Sequence, residues 1–390
     1  RFKLVNDVLG HNAGDQLLLA AAKRLQKAVG RDAVLARFGG DEFLALVDGS
    51  RDPDLPARLA QAITQAFGES FRFGGEEFTI TASVGMATSP EHGRTPQQLI
   101  NNADAAMYDA KRRGRNNWQA FSPALAEIQR ERLRVETQLR RALDNNEFRL
   151  VYQPQVELSS GRVIGAEALI RWRNHSLGEI RPDRFINHAE TTGDIVRIGA
   201  WTVREACRQM RVWRDAGIEL ERIAVNVSYR QLLTDDLPNL VEASLAEFDL
   251  PGTLLELEFT ERVLIEDAAE TLRTFHALRQ LGVMLTIDDF GEGYSALNYL
   301  RRLPIHGLKL SHSFMRGVPD NGSDVAICQA VLGVARSMRL AVVGEGVESI
   351  AQRDFLIQGG AQVAQGFLYS PGLPARDFET WFRNHVPMPA

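Results

Sequence analysis

The sequence predicts two folded units of different class, an α+β domain with helices on an antiparallel sheet and then an α/β domain, a (β/α)8 barrel of the TIM type. Its length of 390 residues is the first reason, because a single hydrophobic core rarely grows beyond about 250–300 residues. The second is a change of pattern near residue 148, where short apolar runs that end in a polar residue begin to alternate with helical segments. A charged helical run separates the two patterns. We therefore expect domains at residues 1–121 and 148–390, joined by a connector helix within 122–147.

Composition excludes several classes of partner. The net charge is −5, from 45 basic and 50 acidic residues, and the chain lacks the basic stripe that binding to a nucleic-acid backbone requires. No apolar run reaches the length of a membrane span, and no signal peptide is visible. Cys207 and Cys328 lie in helical segments without metal or redox spacing, as in a protein of the reducing cytoplasm. Because the chain opens on Arg1 rather than Met, we expect a fragment of a longer protein, whose upstream part could carry a membrane anchor.

Helices and strands alternate in the first domain. Apolar spacing predicts helices over 13–29, 55–67 and 96–113. Runs of β-branched and aromatic residues predict strands over 34–38, 44–47, 71–73 and 78–86. Helices packed on one face of an antiparallel sheet are the simplest arrangement of these elements.

The turn between the first two strands carries the clearest chemical signal of this domain. Residues 37–44 read RFGGDEFL, so that Gly39 and Gly40 let a ligand approach the backbone while Asp41 and Glu42 can hold a divalent cation. Alone this signal is weak, because many tight hairpins need glycine for positive φ. Four further motifs occur around it along the chain: FKLVND at 2–7, GHNAGD at 10–15, ASVG at 82–85 and YDAKRRGRN at 108–116.

Together these motifs resemble the GGDEF family of diguanylate cyclases across nearly the whole domain, which implies a palm-like antiparallel sheet with helices. The resemblance implies that Asn6 and Asp15 hydrogen-bond a guanine and that Lys111 and Arg115 hold a triphosphate. GTP with Mg²⁺ is thus the implied ligand. The residue types suit phosphoryl transfer, in which positioning and metal electrostatics supply most of the catalysis.

The same resemblance places Asp41 and Glu42 at the metal and at the activation of a ribose 3′-hydroxyl, with Gly39 beside the nucleotide. Two features depart from the family. Its upstream metal-binding Asp would precede the first residue of this chain, and its product-inhibition Arg-x-x-Asp motif falls on Gly30 and Ala33. We therefore expect the full-length domain to bind GTP and this chain alone to cyclise it poorly.

The connector allows two interpretations. Its apolar residues form one irregular helix face: Leu125, Ile128, Leu133, Val135, Leu139 and Leu143. A solvated linker helix accounts for this pattern, and so does a lever between the domains or a contact in the homodimer that we expect. The sequence does not separate these alternatives.

The second domain contains eight strand-length apolar runs over roughly 240 residues, with helices between them, which matches a (β/α)8 barrel. In such a barrel the C-terminal strand ends meet at one rim. Polar residues end or follow most of these runs: Glu167, Asn226, Glu258, Asp288, Asp289, Lys309, Glu345 and Gln365. A helix cap or a salt bridge explains any one of them, but not their number on one rim. An acidic rim without a His or Cys cluster predicts Mg²⁺ or Mn²⁺ rather than zinc.

These residues carry a resemblance to the EAL family of cyclic-di-GMP phosphodiesterases over essentially the entire second domain. The matching motifs are QP at 153–154, EALIRW at 167–172, NVS at 226–228, EFTE at 258–261, DDFGEGYS at 288–295, Lys309, EGVE at 345–348 and QGF at 365–367. The family implies hydrolysis of cyclic di-GMP to linear pGpG with two metal ions, Mg²⁺ or Mn²⁺.

The resemblance also implies roles for individual residues. The first metal would be bound by four of them: Glu167, Asn226, Glu258 and Asp288. Asp289 would reach the second metal, and three residues would place the attacking water: Lys309, Glu345 and Gln365. Gln153 would contact the substrate, Leu169 would help form its floor, and Arg171 would contact a phosphate. Glu261 would tether the loop after Asp289.

The second domain departs from its family at several positions. The family's Lys-x-Asp motif ends in Ser311, which removes a carboxylate near the second metal. His306 and Gly344 replace a commoner Asp and Ala, and 371–372 read Pro-Gly in place of the usual Arg-Pro. Glu292 adds an acid near the site, and the sequence assigns it no role.

We therefore expect an active cyclic-di-GMP phosphodiesterase of the bacterial cytoplasm. Its GGDEF domain would bind GTP and either regulate the barrel or retain cyclase activity in the full-length protein. One alternative is a non-enzymatic receptor for cyclic di-GMP that signals through the connector; such a receptor should lack metal ligands, whereas every matched ligand position is intact. The other is a bifunctional protein in which synthesis dominates.

Overall fold

The structure, a computed structural model, describes residues 11–49, 52–73, 76–234, 236–264, 268–292 and 300–387. The chain divides into two compact units, Arg1–Arg134 and Val135–Ala390. Asn6, a predicted guanine contact, lies outside the described residues. Within the described ranges no helix is both long enough and apolar enough to cross a bilayer.

The first unit combines helices with short sheets. In chain order its elements are α1 (His11–Val29), β1 (Ala33–Gly39), β2 (Glu42–Val47), α2 (Leu55–Ala66), β3 (Phe71–Phe73), β4 (Glu76–Phe78), β5 (Val84–Met86), α3 (Pro96–Arg112) and β6 (Trp118–Ala120). β1 pairs with β2 and β3 with β4 in antiparallel fashion, whereas β5 and β6 are parallel. Apolar residues at helical spacing on α1 and α2 form the core with the start of β3: Leu17, Leu25, Val29, Ile63, Phe67 and Phe71.

The predicted helices and the hairpin at 34–47 are confirmed, but the long strand predicted over 78–86 is wrong. β4 ends at Phe78, and β5 begins only at Val84. Tertiary packing is the reason. A Cβ atom on Gly85 would lie 1.9 Å from the carbonyl oxygen of Ala103, so glycine lets α3 press against β5, which pairs with β6.

α4 (Pro123–Ala142) occupies most of the predicted connector, and the boundary between the two units falls inside it. Its C-terminal turns are buried in the second unit, beside Trp172, through three residues: Val135, Leu139 and Ala142. Ile128 and Leu133, from the same predicted apolar face, are 50% and 61% exposed. The last part of the helix therefore belongs to the core of the second unit.

The second unit contains the predicted barrel. Its further elements are β7 (Phe148–Glu157), β8 (Val163–Asn174), β9 (Gly178–Ile180), α5 (Pro182–Thr192), α6 (Asp194–Asp215), β10 (Arg222–Val227), α7 (Tyr229–Leu232), α8 (Leu237–Glu247), β11 (Leu255–Thr260), α9 (Ala268–Gln280), β12 (Met284–Phe290), β13 (Gly307–Leu310), α10 (His312–Met315), α11 (Gly322–Met338), β14 (Ala341–Gly344), α12 (Ile350–Gly359), β15 (Val363–Ala364) and α13 (Ala375–Asn384). Eight strands close the barrel in the order β7-β8-β10-β11-β12-β13-β14-β15 and back to β7. The barrel fold is thus confirmed.

One strand departs from the regular (β/α)8 pattern, because β7 runs antiparallel to both β8 and β15. The connection from β7 to β8 is a tight turn in which the Gly161 N–H donates to the Glu157 carbonyl and φ of Gly161 is +72°. Parallel strands need a crossover of about a dozen residues. Residues 158–162 are too few for that crossover, so β7 and β8 form a hairpin.

Candidate active site

Strand register brings the polar residues of the predicted rim to one end of the barrel. Asn226 of β10 pairs with Glu258 of β11, and Lys309 is the third residue of β13. Glu345 and Gln365 directly follow β14 and β15, whose last residues are partners in parallel register. Because these strands are parallel, their C-terminal ends lie on the same side of the sheet.

Glu167 lies in the middle of β8 and not at its end, which corrects the prediction. β8 runs on to Asn174 and pairs there with β9, whereas its pairing with the barrel strand β10 stops at Ala168. The strand therefore leaves the barrel just after Glu167. This residue thus lies at the rim although its strand continues.

The side chain of Lys309 is the centre of the rim. It is completely buried, at 0% exposure. Its Nζ lies 2.6 Å from Oε1 of Glu345, 2.7 Å from Oε2 of Glu258, 3.2 Å from Oε2 of Glu167 and 3.5 Å from Oδ1 of Asp288. One ammonium thus joins four carboxylates that come from separate strands.

Amide side chains orient two of these buried carboxylates. Nδ2 of Asn226 donates to Oε1 of Glu167 over 2.6 Å. Nε2 of Gln365 donates to Oε2 of Glu167 over 2.6 Å and to Oε1 of Glu345 over 3.1 Å. The buried Gln155 donates from Nε2 to Oε1 of Gln365 over 3.2 Å, which determines how the Gln365 amide points.

The crowding of carboxylates determines the electrostatics of the site. Burial raises the pKa of Glu345 to about 8 and raises the pKa of Glu258 and Asp288 above their ordinary values, with neighbouring acids adding to the effect. Burial also opposes the ionisation of Glu167, but Lys309 and the donor amides outweigh it and lower its pKa. The pKa of Lys309 is raised despite its burial, because the carboxylates around it favour the cation. Ionisation of all four acids at once would give the site more negative charge than one ammonium balances.

Asp288 and Asp289 extend the acidic rim toward Glu345. One oxygen from each of the three can lie within 4.8 Å of the others, and in the part of the chain that the structure describes no other trio of acids, His or Cys has this spacing. Asp289 has φ of +51°, a left-handed conformation that is uncommon for a residue with a side chain. Burial and the adjacent Asp288 raise the pKa of Asp289. This trio is the best candidate for a shared cation.

The residues after β12 are held to neighbouring elements. The Gly291 N–H donates to Oε2 of Glu261 over 3.0 Å, which is the contact expected for the tether. Gly291 has φ of +104°, a conformation that glycine adopts readily. The hydroxyl of Ser311 donates to Oε1 of Glu292 over 2.6 Å.

Three residues predicted to contact substrate lie on β7 and β8. Gln153 is partly buried, and its Nε2 donates to the Ser370 carbonyl over 3.2 Å. Leu169 and Arg171 lie together, since a Cβ atom on Gly372 would be 3.5 Å from Leu169 and 3.7 Å from Arg171. Burial lowers the pKa of Arg171, but a guanidinium keeps its charge at any physiological pH. A cation and an apolar side chain are thus adjacent on β8.

The first unit places one of its predicted site residues, Asp15, at a cavity. Asp15 and Arg37 line a cavity of about 630 Å³ between α1 and the β1–β2 hairpin. Arg37 donates from Nε and Nη2 to the carbonyl of Gly40, which has φ of +50°. Asp41 in the turn and Glu42 at the start of β2 are both exposed.

Other predicted residues of the first unit are not brought to that cavity. Lys111 lies in the last turn of α3, Arg115 follows it with φ of +58°, and neither lines the cavity. Gly39 is the last residue of β1. Within the described residues, α1 and the β1–β2 hairpin thus line one cavity, whereas the two basic residues predicted to hold triphosphate do not line it.

Two features of the rim were not predicted. Gln155 is one of them. It could have been found, because residues two apart in a strand point to the same face, and Gln153 was already predicted to face the substrate. The hydrogen bond between Ser311 and Glu292 is the other. These two residues are 19 positions apart, and no periodic pattern connects them.

Comparison with known proteins agrees with this geometry. The EAL domain family matches residues 136–372, and the diguanylate cyclase, GGDEF domain family matches residues 1–117. The chain is 41% identical over 374 residues to the bifunctional diguanylate cyclase/cyclic di-GMP phosphodiesterase MucR of Pseudomonas aeruginosa, covering 96% of this chain and 54% of MucR. It is 40% identical over 384 residues to the cyclic di-GMP phosphodiesterase NbdA of the same species, covering 98% and 49%. It is 38% identical over 385 residues to the cyclic di-GMP phosphodiesterase PdeR of Escherichia coli, covering 99% and 58%.

Solved structures give the same result. The PaMucR phosphodiesterase in complex with c-di-GMP is 41% identical, with a TM-score of 0.60 over 63% of this chain and 99% of that one. The EAL domain of Mycobacterium smegmatis DcpA is 33% identical, with a TM-score of 0.52 over 61% and 97%. The chain therefore belongs to the EAL domain family, and a GGDEF domain precedes its EAL domain. It spans about half the length of the curated relatives it matches.

Proposed function

We propose that the second domain is a cyclic-di-GMP phosphodiesterase that hydrolyses one phosphodiester of its substrate to give pGpG. The observation that carries the proposal is the buried cluster in which Lys309 meets four carboxylates beside Asp289. A structural role accounts poorly for it, because like charges in a buried site destabilise a fold unless a ligand offsets them. The relatives MucR, NbdA and PdeR are named as cyclic di-GMP phosphodiesterases, which supports the same substrate.

The donor set fits divalent metal ions. Carboxylate and amide oxygens converge on the rim, and such hard ligands suit Mg²⁺ or Mn²⁺. Oε1 of Glu258 is buried and makes no hydrogen bond within the described residues, so it can coordinate a cation. From the resemblance to the EAL family we assign a first ion to Glu167, Asn226, Glu258 and Asp288, although the acids of this set surround Lys309 and do not stand at metal-ligand spacing. We assign a second ion to the side of the cluster with Asp289, whose oxygen lies within 4.8 Å of one from Asp288 and one from Glu345. When bound, the two ions would lower the pKa of a water molecule and offset the charge of the phosphodiester.

The chain's own residues hold the substrate and the cluster. Lys309 balances part of the negative charge, and Gln365 fixes the orientation of Glu167 and Glu345, so that the water-binding side of the rim keeps its geometry. Arg171 supplies a cation for a phosphate that would otherwise be repelled by the acidic rim. Attack of the water oxygen on phosphorus forms a new P–O bond and breaks the bond to the 3′-oxygen, which takes up a proton released by the water. The product pGpG therefore has a 5′-phosphate and a free 3′-hydroxyl.

Incubation of the chain with cyclic di-GMP and Mn²⁺ or Mg²⁺, with pGpG followed by chromatography, tests the proposal. We expect turnover with either ion and none in chelator. Glu167→Ala should lower the rate roughly 100-fold, because even the loss of a group behind a metal ligand costs 10–100-fold. Glu242→Ala, which removes an exposed carboxylate on α8, is the matched control and should keep the wild-type rate.

Two results would contradict these assignments. Turnover that survives Glu167→Ala would refute the metal assignment. Tight binding of cyclic di-GMP by the wild-type chain without any pGpG would establish the receptor in place of the enzyme.

The first domain, in our proposal, binds GTP with Mg²⁺ and either regulates the barrel or retains cyclase activity in the full-length protein. Its support is the cavity that Asp15 and Arg37 line beside the exposed acids Asp41 and Glu42. Equilibrium dialysis should detect GTP binding that Asp15→Ala weakens, and the rate of pGpG formation should differ with and without GTP. Substantial cyclic di-GMP synthesis by this chain alone would refute the expectation that it cyclises GTP poorly.

The domain limits 1–121, 122–147 and 148–390, the homodimer and the bacterial cytoplasm remain proposals. The burial of Val135 and Leu139 is a reason to count the C-terminal part of the connector with the barrel. Sedimentation velocity across a concentration series tests the dimer. A single species of about 43 kDa at every concentration would refute it.

A further inference from the structure

A hydrogen bond joins Ser311 and Glu292, two residues that the metal assignment does not use. Ser311 stands where the family motif has a carboxylate, and Glu292 is an acid without a role in the metal assignment. The Ser311 hydroxyl is 2% exposed and donates to Oε1 of Glu292 over 2.6 Å. The same Oγ accepts the Ser313 N–H over 3.2 Å at the start of α10, which leaves its hydrogen available for Glu292.

This bond is one of three hydrogen bonds that hold the chain next to Asp289. The Asp289 N–H donates to Oδ1 of Asp288 over 2.9 Å, and the Gly291 N–H donates to Glu261 over 3.0 Å. Glu292 is the next residue, and its bond to Ser311 ties the chain to the end of β13. Asp289 needs such support, because its φ of +51° is unfavourable for a residue with a Cβ atom.

We infer that Glu292 is a positioning residue, which holds Asp289 in place through Ser311 and supplies from the β12 side the carboxylate that the end of β13 lacks. The inference rests on the proposed function, in which Asp289 serves the second metal.

Electrostatics gives a reason for a serine in place of a carboxylate at position 311. A carboxylate at the buried position 311 would lie next to an already crowded acidic cluster and would lose its hydration. Glu292 is exposed, so its charge stays in contact with water while its Oε1 still accepts the Ser311 hydroxyl. The link is kept without another buried charge.

Four variants test the inference: Ser311→Ala, Glu292→Ala, Glu292→Gln and the double variant Ser311→Ala/Glu292→Ala. Mn²⁺ affinity is measured by electron paramagnetic resonance, and protection of residues 284–292 is measured by hydrogen exchange. Each alanine variant should weaken the weaker Mn²⁺ site about ten-fold, as expected for the loss of a hydrogen bond to a charged group, and should speed exchange. The double variant should be no worse than either single one, and Glu292→Gln, which keeps an acceptor, should stay within about three-fold of wild type.

A reciprocal exchange separates positioning from a general loss of packing. Ser311→Asp alone places two carboxylates side by side and should weaken Mn²⁺ binding. Adding Glu292→Gln to it restores one donor and one carboxylate with the strands exchanged, and should recover affinity and protection. Ser337→Ala and Glu242→Ala remove exposed groups elsewhere in the barrel and are the matched controls.

Several outcomes would overturn the inference. These are additive effects of the two alanine substitutions, unchanged exchange and Mn²⁺ affinity in Glu292→Ala, or no recovery in the reciprocal variant. The rate of pGpG formation is followed in parallel, and it should fall with Mn²⁺ affinity at subsaturating Mn²⁺ and recover at saturation. If the wild-type chain forms no pGpG, the proposed function fails, whereas exchange and Mn²⁺ binding still decide on Glu292.

Discussion

Replacement of Lys309 by methionine tests the central feature of the site. The substitution keeps an unbranched side chain of similar length and removes only the ammonium. That ammonium is completely buried and lies within 3.5 Å of oxygens from four carboxylates. Breaking a buried ion pair from one side leaves uncompensated charge and costs about 3–5 kcal/mol. We expect Lys309→Met to lower the free energy of unfolding of the second unit by about this amount in chelator.

Calorimetry converts that free energy into a shift that can be measured. For a domain of this size about 1 kcal/mol lowers Tm by roughly 2–4 °C, so a loss of 6–20 °C is expected in chelator. Mn²⁺ should restore part of the loss, because a bound cation replaces some of the missing positive charge. Arg376→Met, which removes an exposed cation on α13, is the matched control and should stay within about 0.5 kcal/mol of wild type.

The activity of the same variant separates two roles for the lysine. We expect pGpG formation to fall roughly 100-fold even at saturating Mn²⁺, because the four carboxylates lose their common partner. An unchanged Tm in chelator would refute the electrostatic reasoning. A large loss of stability with full activity would show that Lys309 supports the fold alone.

Three further predictions concern other parts of the chain. Burial acts to raise the pKa of Glu147, but side-chain donors led by the Trp172 indole outweigh burial, and the net pKa is lowered. The ionised carboxylate therefore stabilises the fold above pH 4.5, and this contribution is lost as the pH falls through the folded-state pKa. Glu147→Gln should therefore cost about 1–3 kcal/mol at pH 7 and progressively less as the pH falls below 4.5 in urea titrations, and a cost that does not change with pH would contradict this. Gly85→Ala should destabilise the first unit by about 3 kcal/mol, because the added Cβ would lie 1.9 Å from the carbonyl of Ala103. The control Gly333→Ala adds its Cβ to open space on α11 and should be neutral or stabilising, with both variants measured by thermal unfolding. Replacing Mn²⁺ by Ca²⁺ should preserve cyclic di-GMP binding in calorimetry but slow pGpG formation at least ten-fold, since Ca²⁺ polarises water less; equal rates would exclude a metal-activated water.

The barrel could be predicted because parallel strands covered on both faces appear in the sequence as continuous apolar runs. The runs at 223–225, 254–257 and 283–287 all became neighbouring parallel strands. The direction of β7 could not be predicted in the same way. The direction of β7 depends on the length of the turn at 158–162, and apolar periodicity contains no information about that length.

The long strand predicted over 78–86 shows where a local sequence pattern fails to predict structure. Its β-branched residues favour extended backbone, but strand pairing is a tertiary property. Val84–Met86 pairs with Trp118–Ala120, more than thirty residues away, and Gly85 admits α3 onto it. Local propensity contains no information about either neighbour.

The candidate site could likewise be predicted in part: the sequence identified its residues but not their contacts. Strand-end position identified Gln365 and the acids other than Glu167, since the ends of parallel strands meet by construction. Glu167 reaches the rim from the middle of β8. The sequence did not show that Lys309 would be the common partner of Glu167, Glu258 and Glu345, because that depends on side-chain reach across the barrel. Nor did it show how Ser311 is compensated, since Glu292 lies on a different strand connection.

The identity of the central cation strengthens the functional argument. Lys309 is the only lysine after Lys111 in a chain with 45 basic residues, so the second domain uses arginine at every other basic position. An arginine would present a planar fork suited to one or two carboxylates, whereas an ammonium is compact and can donate in three directions. Four carboxylates within 3.5 Å of Nζ require the compact group. Even so, one positive charge cannot balance these acids and Asp289 once all of them are ionised, which is the physical reason to expect further cations at this rim.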